Sequence, residues 1–336
     1  MKFVGSTRLI YALIAVLAMG ILSSPQTVLA QQTWQAVVGA QNADKSRQAL
    51  AFLPNELWIH AGDTITWTAD ADDIHTVTFL TAAQVVPSFQ AGCPGFAASG
   101  SSFDGSTCVS APPLAKGQTY SVVFPKPGNY KVLCLVHTQM NGTIHVLDLS
   151  AALPHTQDFY EDQAEAQRKL LFAESSQEMH MSHDEDSVRV YSGNKHVTAG
   201  VGEVLATAGG TQVGSLVRFL KGTIQIHAGD TVEWTNRDPQ EPHTITFGPD
   251  PLGNPFPPSL NVTVDADGAR HATLNSPTDT AHSGFIEATL TDDPGLPQNS
   301  LDFTRFRVTF AEAGTYPYKC VLHDNLGMVG TVVVLP

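Results

Sequence analysis

The chain has 336 residues, 42% hydrophobic and 15% charged, with a formal net charge of −14. That length is too great for one small domain and comfortable for two, and the share of apolar residues excludes a disordered chain. The acidic balance disfavours nucleic acid as a partner and favours basic ones.

Lys2 and Arg8 make a basic start, an apolar run extends from Leu9 to Leu22, and Val28-Leu29-Ala30 precedes Gln31-Gln32. This predicts a secretory signal peptide over 1–30, cleaved after Ala30. The run is short for a membrane span. The mature protein is therefore expected to be exported, periplasmic or extracellular, and not integral to the membrane once processed. Removing the segment takes two of the 18 basic residues and none of the 32 acidic ones, which deepens the mature charge to −16.

The rest of the chain repeats itself. FLPNELWIHAGDTITW begins at Phe52 and FLKGTIQIHAGDTVEW at Phe219, sharing IHAGDT without a gap. Each copy continues to a histidine, His75 in DDIHTVTF and His243 in EPHTITF. Each then reaches a second matching block, with Phe124, Gly128, Tyr130 and Cys134 in register with Phe310, Gly314, Tyr316 and Cys320. Short runs such as TITWTA, YSVVF and YKVLCL cluster β-branched and aromatic residues between turn residues, which predicts strands of a β-sandwich. A repeat of this kind is one structural unit used twice.

Between the copies, residues 156–177 are rich in Ala, Glu, Gln and Leu and predict a helix. The expected organisation is a signal peptide at 1–30, a first domain at 32–148, a helical linker at 149–186 and a second domain at 187–336. After the helix comes MHMSH, holding Met179, His180, Met181 and His183 beside three acidic residues. It reads as a solvated stretch rather than a metal site. His60 and His227, within IHAGDT, are expected to be strand-end surface residues.

Four cysteines divide into two kinds. Cys93 and Cys108 lie in one Gly/Ser-rich loop and are read as a disulfide pair. Cys134 and Cys320 each stand three residues before a histidine, with a methionine soon after. The first set is His75, Cys134, His137 and Met140, with the loop spacing C-x2-H-x2-M; the second is His243, Cys320, His323 and Met328, spaced C-x2-H-x4-M. A thiolate, two imidazoles and a weak thioether suit both oxidation states of copper. One mononuclear copper ion is expected per domain, two type 1 ions per chain.

These residues resemble a tandem of cupredoxins, the plastocyanin/azurin family. GDTVEW and CVLHDNLGM are similar to plastocyanin, and the short loop CLVHTQM is similar in length to that of amicyanin. The resemblance omits the helical linker and two insertions, roughly 82–115 and 249–302. It implies an all-β fold of two Greek-key β-sandwich cupredoxin domains joined by a helical connection. It also implies one-electron transfer between redox protein partners, with basic cytochromes suited to the acidic surface. In such proteins the second ligand histidine reaches the surface, so His137 and His323 are expected to be electron ports, flanked by Val136, Met140, Leu322, Leu326 and Met328.

Two other functions remain at this point. Copper storage or delivery would use the same ligands. A copper oxidoreductase of the nitrite reductase or multicopper oxidase type needs further copper, and in those families a histidine flanks the copper cysteine. Here the flanks are Leu133, Leu135, Lys319 and Val321. The expectation is a carrier and not an enzyme.

Overall fold

Alternation of buried and half-exposed residues shows how each strand meets the core. Along Thr64–Asp70, Ile65, Trp67 and Ala69 point inward, and along Glu56–His60, Leu57 and Ile59 do so. Side chains of a strand alternate between its faces, so such runs line one side of a sheet. The computed structural model describes residues 30–87, 91–137, 139–172, 189–190, 196–208, 211–238, 241–252, 257–286 and 303–336. The expected signal peptide up to residue 29 and the 179–183 segment lie outside the described residues.

In the first half, a five-stranded sheet runs in the order Glu56–His60, Asn141–Leu147, Gly128–Leu133, Thr78–Phe79 and Val109–Ser110. It faces strands Arg47–Leu53, Thr33–Gln41, Thr64–Asp70, Thr119–Val123 and Ser101–Ser102. Trp34, Trp67, Phe79, Phe103 and Phe124 fill the space between them. The second half repeats the plan around Trp234, Phe219, Phe306 and Tyr316. Its six-stranded sheet includes Thr223–His227, Val329–Leu335, Gly314–Lys319 and Thr246–Phe247. This is the all-β, two-domain architecture expected, with one α-helix among the described residues, Gln157–Phe172, between the halves.

The halves are joined more closely than two linked sandwiches need to be. Strand Gln212–Leu220 pairs antiparallel with Arg47–Leu53, placing Val213 opposite Leu50 and Leu216 opposite Arg47. One sheet of eleven strands thereby crosses both halves, and Gln31–Pro336 forms a single compact unit. The burial of these two strands explains the join. Six of the seven residues of Arg47–Leu53 are buried, which requires cover on both faces.

The helix supplies part of that cover. Leu171 packs with Ala40, Ala49, Ala51 and Leu53, and Phe172, Ala164 and Ala208 lie against the same cluster. Small side chains permit the approach: a Cβ on Gly214 would fall 2.0 Å from the carbonyl oxygen of Leu171. The linker also covers the sheet edges. Glu56–His60 is the outer strand of its sheet, and Trp58 N–H donates to Tyr160 Oη (2.8 Å) while Tyr160 O–H donates to the Trp58 carbonyl (3.1 Å). In the second half the matching strand, Thr223–His227, is covered by Arg189–Val190 in parallel register. An uncovered edge is a template for pairing with another chain, so both covers protect the fold.

The shared IHAGDT serves the turn. Gly62 and Gly229 take φ of +96° and +90°. The Asp63 carboxylate accepts from His60 N–H, and the Asp230 carboxylate from His227 N–H. His60 and His227 end their strands half-buried, and His60 Nε2 lies 2.9 Å from the Ala151 carbonyl. Cys93 and Cys108 are disulfide-bonded, with Cα atoms 5.7 Å apart.

Candidate metal centres

Each half gathers its candidate ligands at one end of its sandwich. His75 and His243 sit just before the short strands Thr78–Phe79 and Thr246–Phe247. Cys134 and Cys320 immediately follow the strands Gly128–Leu133 and Gly314–Lys319. In the first centre, His75 Nδ1 and His137 Nδ1 lie 3.0 Å apart, and Cys134 Sγ is 3.8 Å from His137 Nδ1. In the second, His243 Nδ1 and His323 Nδ1 are 3.2 Å apart, and Cys320 Sγ is 4.0 and 3.5 Å from them. In each triad the donor atoms lie within 4.8 Å of one another and all three residues are buried.

The methionines close the two loops identically despite the difference in length. Cys134 N–H donates to the Met140 carbonyl and Met140 N–H to the His137 carbonyl, both at 3.0 Å. Cys320, Met328 and His323 make the same pair of bonds, at 3.1 and 3.0 Å. The two extra residues of the second loop are taken up by a 3-10 turn, Asp324–Leu326, ended by Gly327 at φ +91°. Met140 and Met328 are buried beside the cysteines in their cores.

Further residues hold the ligands in place, and the sequence reading did not single them out. Thr76 N–H donates to Cys134 Sγ (3.4 Å), and Thr76 Oγ1 accepts from Leu135 N–H (2.8 Å). Thr244 does the same for Cys320 (3.3 Å) and Val321 (2.9 Å). The signal for both was the dipeptide His-Thr, present in each copy. Gly39 and Gly202 pass close to the Nε2 edges of His75 and His243.

The sulfurs are prepared for a cation. Burial alone would raise the Cys134 thiol, but hydrogen bonds from His137 and His75 and their charges outweigh it and hold Cys134 well below its ordinary value. Cys320 is likewise held low against burial, by the charge of His323 and the hydrogen bond of His243. The thiolate is the form that ligates metal.

One expectation is overturned here. His137 and His323 were to emerge at the surface as ports, yet they are 1% and 3% exposed. Leu326, Met140 and Met328 are buried as well, and Val136 and Leu322 are half-buried, so these residues form no surface patch. The cause is the close joining of the halves. His137 Nε2 lies 3.2 Å from Asp73 Oδ2 and 3.4 Å from Glu241 Oε2, the latter from the second half. Glu241 Oε2 is also 3.6 Å from His323 Nε2. Arg218 spans the same seam, donating to the carbonyls of Leu326 (2.9 Å) and Asp44 (2.9 Å). Burial and the Asp73 charge push Glu241 up. Asp73, despite burial, is held far below the carboxylate range by His137.

The sequence pattern of copper binding proteins of the plastocyanin/azurin family matches residues 39–147 and 203–335. The chain belongs to this family. Blue-copper electron transfer is the family's activity, copper is its metal, and both donor sets of this cupredoxin fit that metal. A chloroplast plastocyanin of Tetradesmus obliquus is 31% identical over 125 residues, 37% of this chain and 63% of the plastocyanin. The chain thus spans less than two thirds of that relative's length. Among solved structures, an amicyanin variant in its Cu(I) form is 21% identical with a TM-score of 0.25, covering 36% of this chain and 87% of the amicyanin. A reduced amicyanin variant at pH 4 is 21% identical with a TM-score of 0.24, covering 34% and 82%. No helix among the described residues is long and apolar enough to cross a membrane.

Proposed function

We propose that this cupredoxin is an exported electron carrier with two type 1 copper sites. His75, Cys134, His137 and Met140 hold one ion, and His243, Cys320, His323 and Met328 the other. The observation that carries the reading is the duplicated convergence of two Nδ1 atoms and one sulfur, closed in both copies by the same methionine-to-histidine backbone bond. Copper bound there supplies a one-electron couple. The chain's own part is to exclude water, fix the imidazoles and hold the thiolate with a backbone N–H, so that little rearranges between oxidation states.

The same features argue against the alternatives. A delivery protein must pass its metal to another ligand, and burial of every ligand opposes that. An oxidoreductase needs a metal with a position open to substrate. Neither copper cysteine has a flanking histidine to wire its site to such a metal. The acidic surface suits basic redox proteins as partners.

Single-cysteine variants test the reading. Cys134→Ala and Cys320→Ala should each bind one blue copper and keep about half the thiolate-to-copper absorbance, and the double variant should be colourless. Full absorbance in either single variant would contradict a site in each half.

A further inference from the structure

Asp73 and Glu241 occupy the same place in the two copies, each two residues before the first ligand histidine. Both are buried, and both face the outer nitrogen of a second ligand histidine. Their settings differ. Asp73 pairs with His137 of its own half and lies in one group with Glu241. Glu241 lies between His137 and His323 and so touches a ligand of each centre. No strict hydrogen bond satisfies Asp73 Oδ2, Glu241 Oε1 or His137 Nε2 among the described residues. A copper ion at either centre favours the ionised form of a carboxylate so placed, which then acts chiefly through its charge.

Resting on the reading of two copper sites, we propose that Glu241 is a positioning residue shared by both centres: its carboxylate, between His137 and His323, sets the redox balance of each, so that a residue of the second half tunes the copper of the first. The chemistry follows from the ring. With Nδ1 committed to the metal, the imidazole proton resides on Nε2, which faces the carboxylate. A carboxylate behind a ligand imidazole raises its basicity and fixes its orientation. Oxidation from Cu(I) to Cu(II) adds one positive charge to each centre. A negative charge in a dry seam favours that oxidised form more than it would in water. The contacts of 3.4 and 3.6 Å are long for hydrogen bonds, and the influence on both centres is Coulombic.

A redox titration of the copper-loaded full chain tests this. In the Cys320→Ala background only the first centre remains. There Glu241→Gln should raise the Cu(I):Cu(II) ratio at fixed ambient potential at least tenfold, about 59 mV for a one-electron couple. Glu241→Asp, which keeps the charge, should stay within about threefold of the parent, and Glu312→Gln, on the exposed surface, should leave the ratio unchanged. Should Glu241→Gln fail to fold, Asp73→Asn in the same background should move the ratio in the same direction, because it removes the other charge at His137. A change below twofold for Glu241→Gln overturns the proposal. So does a third bound metal equivalent that Glu241→Gln removes, since the carboxylate would then be a ligand in the group Asp73, His137 and Glu241. A blue wild-type chain whose redox balance ignores Glu241 contradicts this inference alone; a wild-type chain that takes up no copper contradicts the parent reading as well.

Discussion

Gly39→Ala and Gly202→Ala are each expected to abolish copper binding at the adjoining centre while leaving the other intact. A Cβ on Gly39 would stand 2.1 Å from His75 Nε2, and one on Gly202 would stand 2.3 Å from His243 Nε2. Neither glycine can yield cheaply, because their φ values of +66° and +62° lie in the left-handed region that side chains disfavour. Neither ring can withdraw without loss of the site, since its opposite edge carries the Nδ1 that faces the sulfur and the partner imidazole. The expected result is one copper per chain and about half the visible absorbance for each single variant. Two coppers and an undiminished band in both variants would show that the histidine edge has room the structure does not provide.

Tyr160→Ala is expected to destabilise the fold by about 3–5 kcal/mol, the range for deleting a large buried aromatic side chain. Tyr160 is fully buried, packs edge-on to Trp34 at 5.5 Å, and bonds both the N–H and the carbonyl of Trp58. Its loss opens a cavity beneath the helix and also exposes the outer edge of the strand Glu56–His60. Tyr160→Phe keeps the ring and removes the hydroxyl, so it should cost less, about 1–3 kcal/mol. Urea unfolding of the metal-free chain measures both, with metal binding kept from masking the difference. Equal losses for the two variants would show that edge cover alone matters; no loss for either would show that the helix is a passive tether.

The repeat made most of the fold and the ligand triads legible. Strand runs that alternate buried and exposed residues are periodic in the sequence, and the two His, Cys, His sets stand in register. The Met140 loop, shorter by two residues, closes through the same backbone bonds as that of Met328. The helix was visible in composition. Its task was not, because the cover the Tyr160 hydroxyl gives to the Trp58 backbone joins residues 102 positions apart.

The seam was hidden for a similar reason. The residues that pair across it, 47–50 with 213–216, stand just before the repeat blocks that open at Phe52 and Phe219. Once formed, it turns His137 and His323 away from solvent, which no local pattern announces. A trace was present: an acidic residue two positions before the ligand histidine in both copies, Asp73 and Glu241. Gly39 and Gly202 left no such trace, since a glycine's need for close approach appears only when the opposing ring is in place.

The most direct measurement is the copper content and visible spectrum of the copper-loaded wild-type chain. Two coppers per chain and an intense thiolate-to-copper band are the expected result. A colourless protein, or one holding a single copper, would contradict it.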